Sequence, residues 1–170
     1  MTAAPDERIT VRLASLDDAE PIRRIYNHEV EHSSVTFDLV SRTLEDQRAW
    51  LREREGALGV VVAVIDAQVV GFASLSEYRS RPAYRTSVEN SVYVDESARG
   101  LGVGAALLDE LIALARARGF HSMIGRIVGG HEASIALHRK VGFDIVGTER
   151  EIGRKFGKWL DVVVVQLLLS

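Results

Sequence analysis

The stretch Ser87–Ala105 reads SVENSVYVDESARGLGVGA and carries the strongest structural signals in the chain. Side chains from Val88 to Val94 alternate with a period of two, which is typical of a β-strand with two different faces. The segment Arg99–Gly104 then opens a strongly helical run. A glycine-rich turn at a helix start exposes successive backbone N–H groups, and the helix dipole favours an anion there. We therefore predict a pyrophosphate cradle, with Glu89 on the preceding strand as a candidate base.

The glycine pattern Gly100-x-Gly102-x-x-Ala105 also satisfies the fingerprint of dinucleotide-binding folds. That fingerprint belongs in the first βα turn, with an acidic residue about 20 positions later at the end of the next strand. Here several predicted strands precede the glycines, and the next one, His121–Val128, contains no Asp or Glu. A Walker phosphate loop is excluded because no Gly-Lys-Ser/Thr follows.

The remaining sequence predicts a mixed α+β fold in a single domain over residues 1–170, without repeats, low-complexity tracts or linkers. The predicted strands are Ile9–Ala14, Gly59–Ile65, Val69–Leu75, Val88–Val94, His121–Val128, Phe143–Glu149 and Asp161–Leu169. The predicted helices run from the Ser15 cap through Val30, from Thr43 to near Gly56, from the cradle to Gly119, and over Glu132–Val141. Runs of adjacent strands favour this class over a doubly wound sheet.

Composition excludes several classes of function. The 170 residues are 46% hydrophobic and 26% charged, which fits one domain with an adequate core. A formal net charge of −3 gives no electrostatic footprint for nucleic acid. The chain has no cysteine and its histidines lack metal-ligand spacing, so we expect no disulfide, cysteine nucleophile or metal site. No signal-peptide core or membrane-length apolar run is present, and we expect a cytoplasmic protein without membrane contact.

Several blocks along the chain carry a family resemblance. They are Tyr26-Asn27-His28, Thr36-Phe37, Val88–Val94, Arg99-x-x-Gly102-x-Gly104, Ala133–His138, Gly142-Phe143 and Lys155–Asp161. In this order they resemble the Gcn5-related N-acetyltransferase (GNAT) superfamily and its phosphinothricin and methionine-sulfoximine acetyltransferase branch. The resemblance implies a central mixed, mostly antiparallel, twisted sheet of about seven strands, splayed at a cofactor cleft and flanked by about four helices. It also implies acetyl-CoA as donor and the α-amine of a small amino acid or analogue as acceptor.

The resemblance assigns residues to the coenzyme. They are Val92, Tyr93, Val94, Arg99, Gly100, Leu101, Gly102, Val103, Gly104, Ala105, His131 and Ser134. His131 stands where the family usually has asparagine, although imidazole also forms hydrogen bonds. For Ser134 and Arg139, helix capping and a solvated charge are the simpler interpretations.

Amide formation requires a neutral amine, so a group must accept a proton, and the family places this base at Glu89. The alternative is a carboxylate paired with a nearby arginine such as Arg85. His138 occupies a position where the family often has a tyrosine that assists the leaving thiolate. A packed histidine with a local hydrogen bond is an equal alternative for His138.

The segment Tyr78–Arg85 concentrates arginines and tyrosines shortly before Glu89. A guanidinium fork suits a bidentate carboxylate, whereas a solvated loop is the alternative for any single arginine. The resemblance assigns the acceptor to Thr36, Phe37, Tyr78, Arg79, Arg85 and Glu89, and leaves Arg81 exposed. Phe37 and Tyr78 stand where some members have tryptophan, which leaves the size of the acceptor site open.

Phe156 and Trp159 are expected in the core by default, or at a two-fold interface near the site. The resemblance implies a homodimer. Two functions remain open at this point: an N-acetyltransferase for a small amino-acid-like or other small amine, and a non-catalytic acyl-CoA-binding regulatory module.

Overall fold

The computed structural model describes residues 6–170, which form seven β-strands and four α-helices. The strands are β1 Thr10–Leu13, β2 Gly59–Ile65, β3 Gln68–Glu77, β4 Ser87–Val94, β5 Ser122–Val128, β6 Asp144–Lys155 and β7 Lys158–Leu168. The helices are α1 Ala19–His32, α2 Leu44–Arg52, α3 Val103–Ala117 and α4 Glu132–Lys140. The sheet order is β1-β2-β3-β4-β5-β7-β6, and β4–β5 is its parallel pair among antiparallel neighbours. The predicted α+β class with a mixed, mostly antiparallel sheet is confirmed.

Capping boxes begin the 3₁₀ turn that precedes α1 and the helix α2. The Ser15 N–H donates to Asp18 Oδ2 at 2.8 Å, and a 3₁₀ turn over Leu16–Asp18 leads directly into α1. Thr43 and Asp46 form the equivalent box at the start of α2. Each box satisfies backbone N–H groups that the helix itself leaves unpaired, a contribution of about 1 kcal/mol to stability.

The sheet has a buried cluster on each face. Leu107, Leu111 and neighbouring residues of α3 pack with Val88 in one cluster. On the opposite face, α1 and α2 pack against β2 and β3, and Tyr93 joins that cluster. Because alternate residues of a strand share a face, Glu89 lies on the same side of β4 as Tyr93.

No helix within residues 6–170 has the length and hydrophobicity to span a bilayer.

The parallel strands β4 and β5 pair over only part of their length. Ser87–Asn90 pair with Ser122–Gly125, and the ladder ends there. The other edge of β4 stays paired with β3 as far as Val94. β5 likewise stays paired with β7 as far as Val128. The two strands therefore separate after Asn90 and open a wedge in the sheet, as the resemblance predicted.

The C-terminal hairpin is longer than the sequence predicted. β6 continues to Lys155 and β7 begins at Lys158, joined by Phe156 and Gly157 with φ of 49° and 72°. Positive φ at both positions matches the two-residue turn that follows the twist of a hairpin. The strand extension was missed because most of β6 is exposed and lacks apolar alternation.

Core packing was the wrong default for Phe156 and Trp159. Their exposed fractions are 61% and 60%. Both lie at the turn end of the β6–β7 hairpin, where Trp159 pairs with Arg154 and Phe156 forms part of the turn.

Candidate active site

The first backbone N–H groups of helix α3 have no backbone acceptor among residues 6–170. Gly102 is its N-cap with φ of 90°, a backbone conformation that glycine adopts without strain. The first helical bond runs from the Ala106 N–H to the Gly102 carbonyl at 3.1 Å. Within residues 6–170, the N–H groups of Val103, Gly104 and Ala105 therefore have no backbone acceptor. They lie at the positive end of a helix of 15 residues, an arrangement that suits an anion.

The cradle opens into a cleft of about 850 Å³, which is a typical volume for a small-molecule site. The wedge between β4 and β5 forms one wall, so the unpaired edge of Ser91–Val94 faces the cleft. The predicted coenzyme residues that line it are Val92, Tyr93, Val94, Arg99, Gly100, Gly102, Val103, Gly104, Ala105, His131 and Ser134. Leu101 is the exception: its side chain is not part of the lining, and its carbonyl accepts the Asp6 N–H at 3.3 Å.

Arg99 is held at the cleft by a carboxylate that sequence reasoning missed. Its Nη2 donates to Glu29 Oε1 at 2.6 Å, and its Nε donates to the Val94 carbonyl at 3.4 Å. Glu29 is buried and also accepts the Ser33 hydroxyl at 2.5 Å. The available signal was a glutamate on the otherwise apolar stripe of α1, because a buried carboxylate requires a partner.

Glu89 lies on the cleft wall without a direct ionic partner. It forms no ion pair among residues 6–170, and Arg85, its predicted alternative partner, is exposed. Burial raises the pKa of Glu89, Arg126 opposes this shift, and Glu149 adds to it. A partly desolvated carboxylate with a raised pKa is a better proton acceptor than an ordinary surface glutamate.

His138 also reaches the cleft wall, and each of its ring nitrogens lies within 3.0 Å of a protein oxygen. A neutral imidazole has one N–H, so it donates to one of these two oxygens. Nδ1 lies 2.8 Å from the Ser134 carbonyl, and Nε2 lies 3.0 Å from Asn90 Oδ1. The residue is 3% exposed, and burial lowers the pKa of its imidazole. Gly125 makes room for the ring, since a Cβ at that position would approach it to 3.2 Å. This geometry favours the packed alternative, in which His138 and Asn90 tie α4 to the point where the strands part.

Thr36 and Phe37 line the same cleft as Glu89. Thr36 is buried, its hydroxyl lies 2.9 Å from the Tyr26 hydroxyl, and its carbonyl accepts Lys155 Nζ at 2.9 Å. The Phe37 ring lies over Gly153, where a Cβ would overlap it. The loop that carries both predicted acceptor residues is therefore anchored from α1 and from the β6–β7 hairpin.

Tyr78, Arg79 and Arg85 do not line this cleft. Tyr78 instead packs edge-to-face on Tyr84 at a centroid distance of 5.4 Å, with the Arg79 guanidinium 5.1 Å from the Tyr78 ring. Arg85 is exposed and follows the 3₁₀ turn Pro82–Tyr84. Within the single chain, the connection packs on itself, which differs from the acceptor wall expected from the sequence.

The guanidinium on the cleft wall beside Glu89 belongs to Arg126, which sequence reasoning missed. Its Nη1 and Nη2 donate to the two carboxylate oxygens of Glu149 at 2.5 and 2.7 Å. The signal was available in the sequence of β5, SMIGRIV, where Arg126 is the one charged residue.

The sequence profile of the acetyltransferase (GNAT) family matches residues 21–143, and the chain belongs to this family. The L-methionine sulfoximine/L-methionine sulfone acetyltransferase of Pseudomonas aeruginosa is 39% identical over 163 residues, 95% of each protein. A crystal structure of a phosphinothricin acetyltransferase from Sinorhizobium meliloti with acetyl-CoA superposes with a TM-score of 0.92 at 37% identity. That match covers 96% of this chain and 89% of the other. A ribosomal-protein-alanine N-acetyltransferase structure from Brucella melitensis has a TM-score of 0.92 at 41% identity, covering 94% and 99% of the two chains.

Proposed function

We propose that this chain is an acetyl-CoA-dependent N-acetyltransferase acting on the α-amine of a small amino acid or analogue. Methionine sulfone, methionine sulfoximine and phosphinothricin are the acceptor types that the names of its relatives support. The observation that carries the proposal is one cleft in which free backbone donors and an unpaired strand edge lie together with the carboxylate of Glu89.

The cleft fits the coenzyme chemically. The N–H groups of Val103, Gly104 and Ala105 suit a diphosphate, because they are unpaired and lie at a helix N-terminus. The exposed edge of β4 suits an amide-rich arm, which it can bind by strand-like hydrogen bonds. Acetyl-CoA supplies the acetyl group as a thioester, whereas the protein contributes binding, orientation and a proton acceptor.

In this proposal Glu89 accepts a proton from the acceptor amine, directly or through one water. The amine nitrogen then carries the lone pair that amide formation requires. Partial burial of Glu89 raises its pKa toward neutral pH, which makes the carboxylate a stronger base. His138 is a positioning residue here, because its buried ring is held between the Ser134 carbonyl and Asn90 Oδ1.

A thiol-release assay with acetyl-CoA tests the proposal against its alternatives. The acceptors are methionine sulfone, methionine sulfoximine, phosphinothricin and a peptide with an N-terminal alanine, the last because of the Brucella relative. We expect release with at least one small amino acid analogue. Binding of acetyl-CoA without release for any amine supports the non-catalytic module, and release with the peptide alone shows that the acceptor class is wrong.

We also propose that the chain forms a homodimer through the turn end of the β6–β7 hairpin. The exposure of Phe156, Trp159 and Ile152 supports this, because large exposed apolar side chains grouped together commonly mark interfaces. Light scattering during size-exclusion chromatography is expected to give twice the chain mass for the wild type. Trp159→Ser is expected to shift it toward the monomer, and an unchanged mass would place the interface elsewhere.

A further inference from the structure

Arg126 is placed on the same face of the sheet as Glu89. The last pair of the parallel ladder is Asn90 with Gly125, and Glu89 pairs with Ile124. Opposite residues of neighbouring strands project to the same side, and so do residues two apart in one strand. Arg126 therefore projects into the wedge on the side of Glu89, and both residues line the cleft.

An α-amino acid carries its amine and its carboxylate on one carbon atom. A site that takes the amine to Glu89 therefore requires a cation near Glu89 for the carboxylate. Arg126 meets this requirement, because its charge lowers the pKa of Glu89 and the effect is mutual. Arg99, also in the lining, is already held by Glu29 beside the cradle, and Arg79 and Arg85 lie outside the lining.

Glu149 shows that the Arg126 fork accepts a carboxylate in this position. The two parallel hydrogen bonds, at 2.5 and 2.7 Å, form the bidentate arrangement typical of arginine and carboxylate. The side chains of Arg126 and Glu149 remain 30% and 35% exposed, so water reaches the ion pair. Replacing Glu149 by another carboxylate on Arg126 therefore costs little free energy.

We propose that Arg126 binds the α-carboxylate of the acceptor, and that Glu149 occupies Arg126 until the acceptor arrives. This assignment rests on the proposed function. It makes Arg126 the residue that selects amino acids over simple amines, and it makes Glu149 an internal competitor for the same fork.

The test compares methionine sulfone with its α-carboxamide, which keeps the amine and loses the charge. With Arg126→Gln we expect KM for the acid to rise about 10- to 100-fold and KM for the amide to change less than about twofold. With Glu149→Gln we expect KM for the acid to fall about two- to fivefold, because the competing carboxylate is gone. Arg48→Gln, an exposed arginine on α2 outside the lining, serves as the control and leaves both constants unchanged.

An unchanged ratio of acid to amide KM in Arg126→Gln overturns the proposal. A ratio lost instead in Arg79→Gln or Arg85→Gln also overturns it, since the carboxylate would then bind on the Tyr78–Arg85 segment. Arg126→Lys guards against misfolding, because it keeps the charge without the fork and is expected to give an intermediate KM.

Equilibrium titration of both compounds into the coenzyme A-saturated protein gives the same ratio without turnover. Selective binding of the acid without thiol release would refute the proposed function alone. Equal affinity of the wild type for acid and amide would refute the role of Arg126.

Discussion

Replacing Glu89 by glutamine removes a proton acceptor and keeps the size and the hydrogen-bonding capacity of the side chain. A positioned general base contributes about 10²- to 10⁴-fold to rate, which corresponds to about 3–5 kcal/mol of transition-state stabilisation. We therefore expect Glu89→Gln to lower kcat by that factor. The KM for acetyl-CoA is expected to stay the same, since the cradle lies on α3 rather than around Glu89.

The pH profile makes this prediction specific. In the wild type, kcat/KM is expected to fall as pH drops through the pKa of Glu89, which burial raises above 4.5. Glu89→Gln is expected to lose this acidic limb, because glutamine does not titrate. The assay is thiol release with the best acceptor over a pH series, with Glu77→Gln as the matched control on an exposed glutamate of β3.

Stability provides an independent check on the same residue. A carboxyl group with a raised folded-state pKa stabilises the fold below its unfolded pKa, and this contribution is lost as pH rises through the folded value. At neutral pH the charged Glu89 therefore costs stability, and Glu89→Gln is expected to melt at the same or a higher temperature than the wild type.

If Glu89→Gln turns over within about threefold of the wild type and retains the acidic limb of the pH profile, the role of Glu89 as base is refuted.

Two glycines give further predictions. Gly104 lines the cleft, and a Cβ there would lie 3.0 Å from Leu137 Cδ2, so Gly104→Val is expected to crowd the start of α3 and to weaken acetyl-CoA binding by about tenfold or more in calorimetric titration. An unchanged Kd would show that the cradle does not bind the coenzyme. At Gly125, a Cβ would lie 2.7 Å from Val165 Cγ2, so Gly125→Ala is expected to lower the free energy of unfolding by about 1–3 kcal/mol in urea. An unaltered midpoint would contradict the close packing around His138.

The sequence was sufficient for features whose determinants are local. The helix α3 has a continuous apolar stripe. The turn before it has positive φ at Gly100 and Gly102, a conformation that favours glycine. The period of two over β4 likewise specifies a strand whatever its neighbours are. These signals predicted the glycine turn at the start of α3 and placed Glu89 on β4, where it lines the cleft.

Features that depend on how neighbouring strands pair could not be predicted from the sequence. Arg126 lines the cleft because β5 separates from β4 after Gly125, which no property of β5 alone indicates. The exposed strand β6 is stabilised by its long pairing with β7 rather than by an apolar pattern. The partner of His138 also could not be assigned, because Asn90 lies 48 positions away in the chain.

A crystal structure of the protein with acetyl-CoA tests most directly whether the cradle and Glu89 form one active site. We expect the diphosphate to bind the N–H groups of Val103, Gly104 and Ala105. We expect the thioester carbon to lie where an attacking amine can reach Glu89 directly or through one water. A diphosphate bound elsewhere, or a thioester carbon separated from Glu89 by other side chains, would contradict the proposed mechanism.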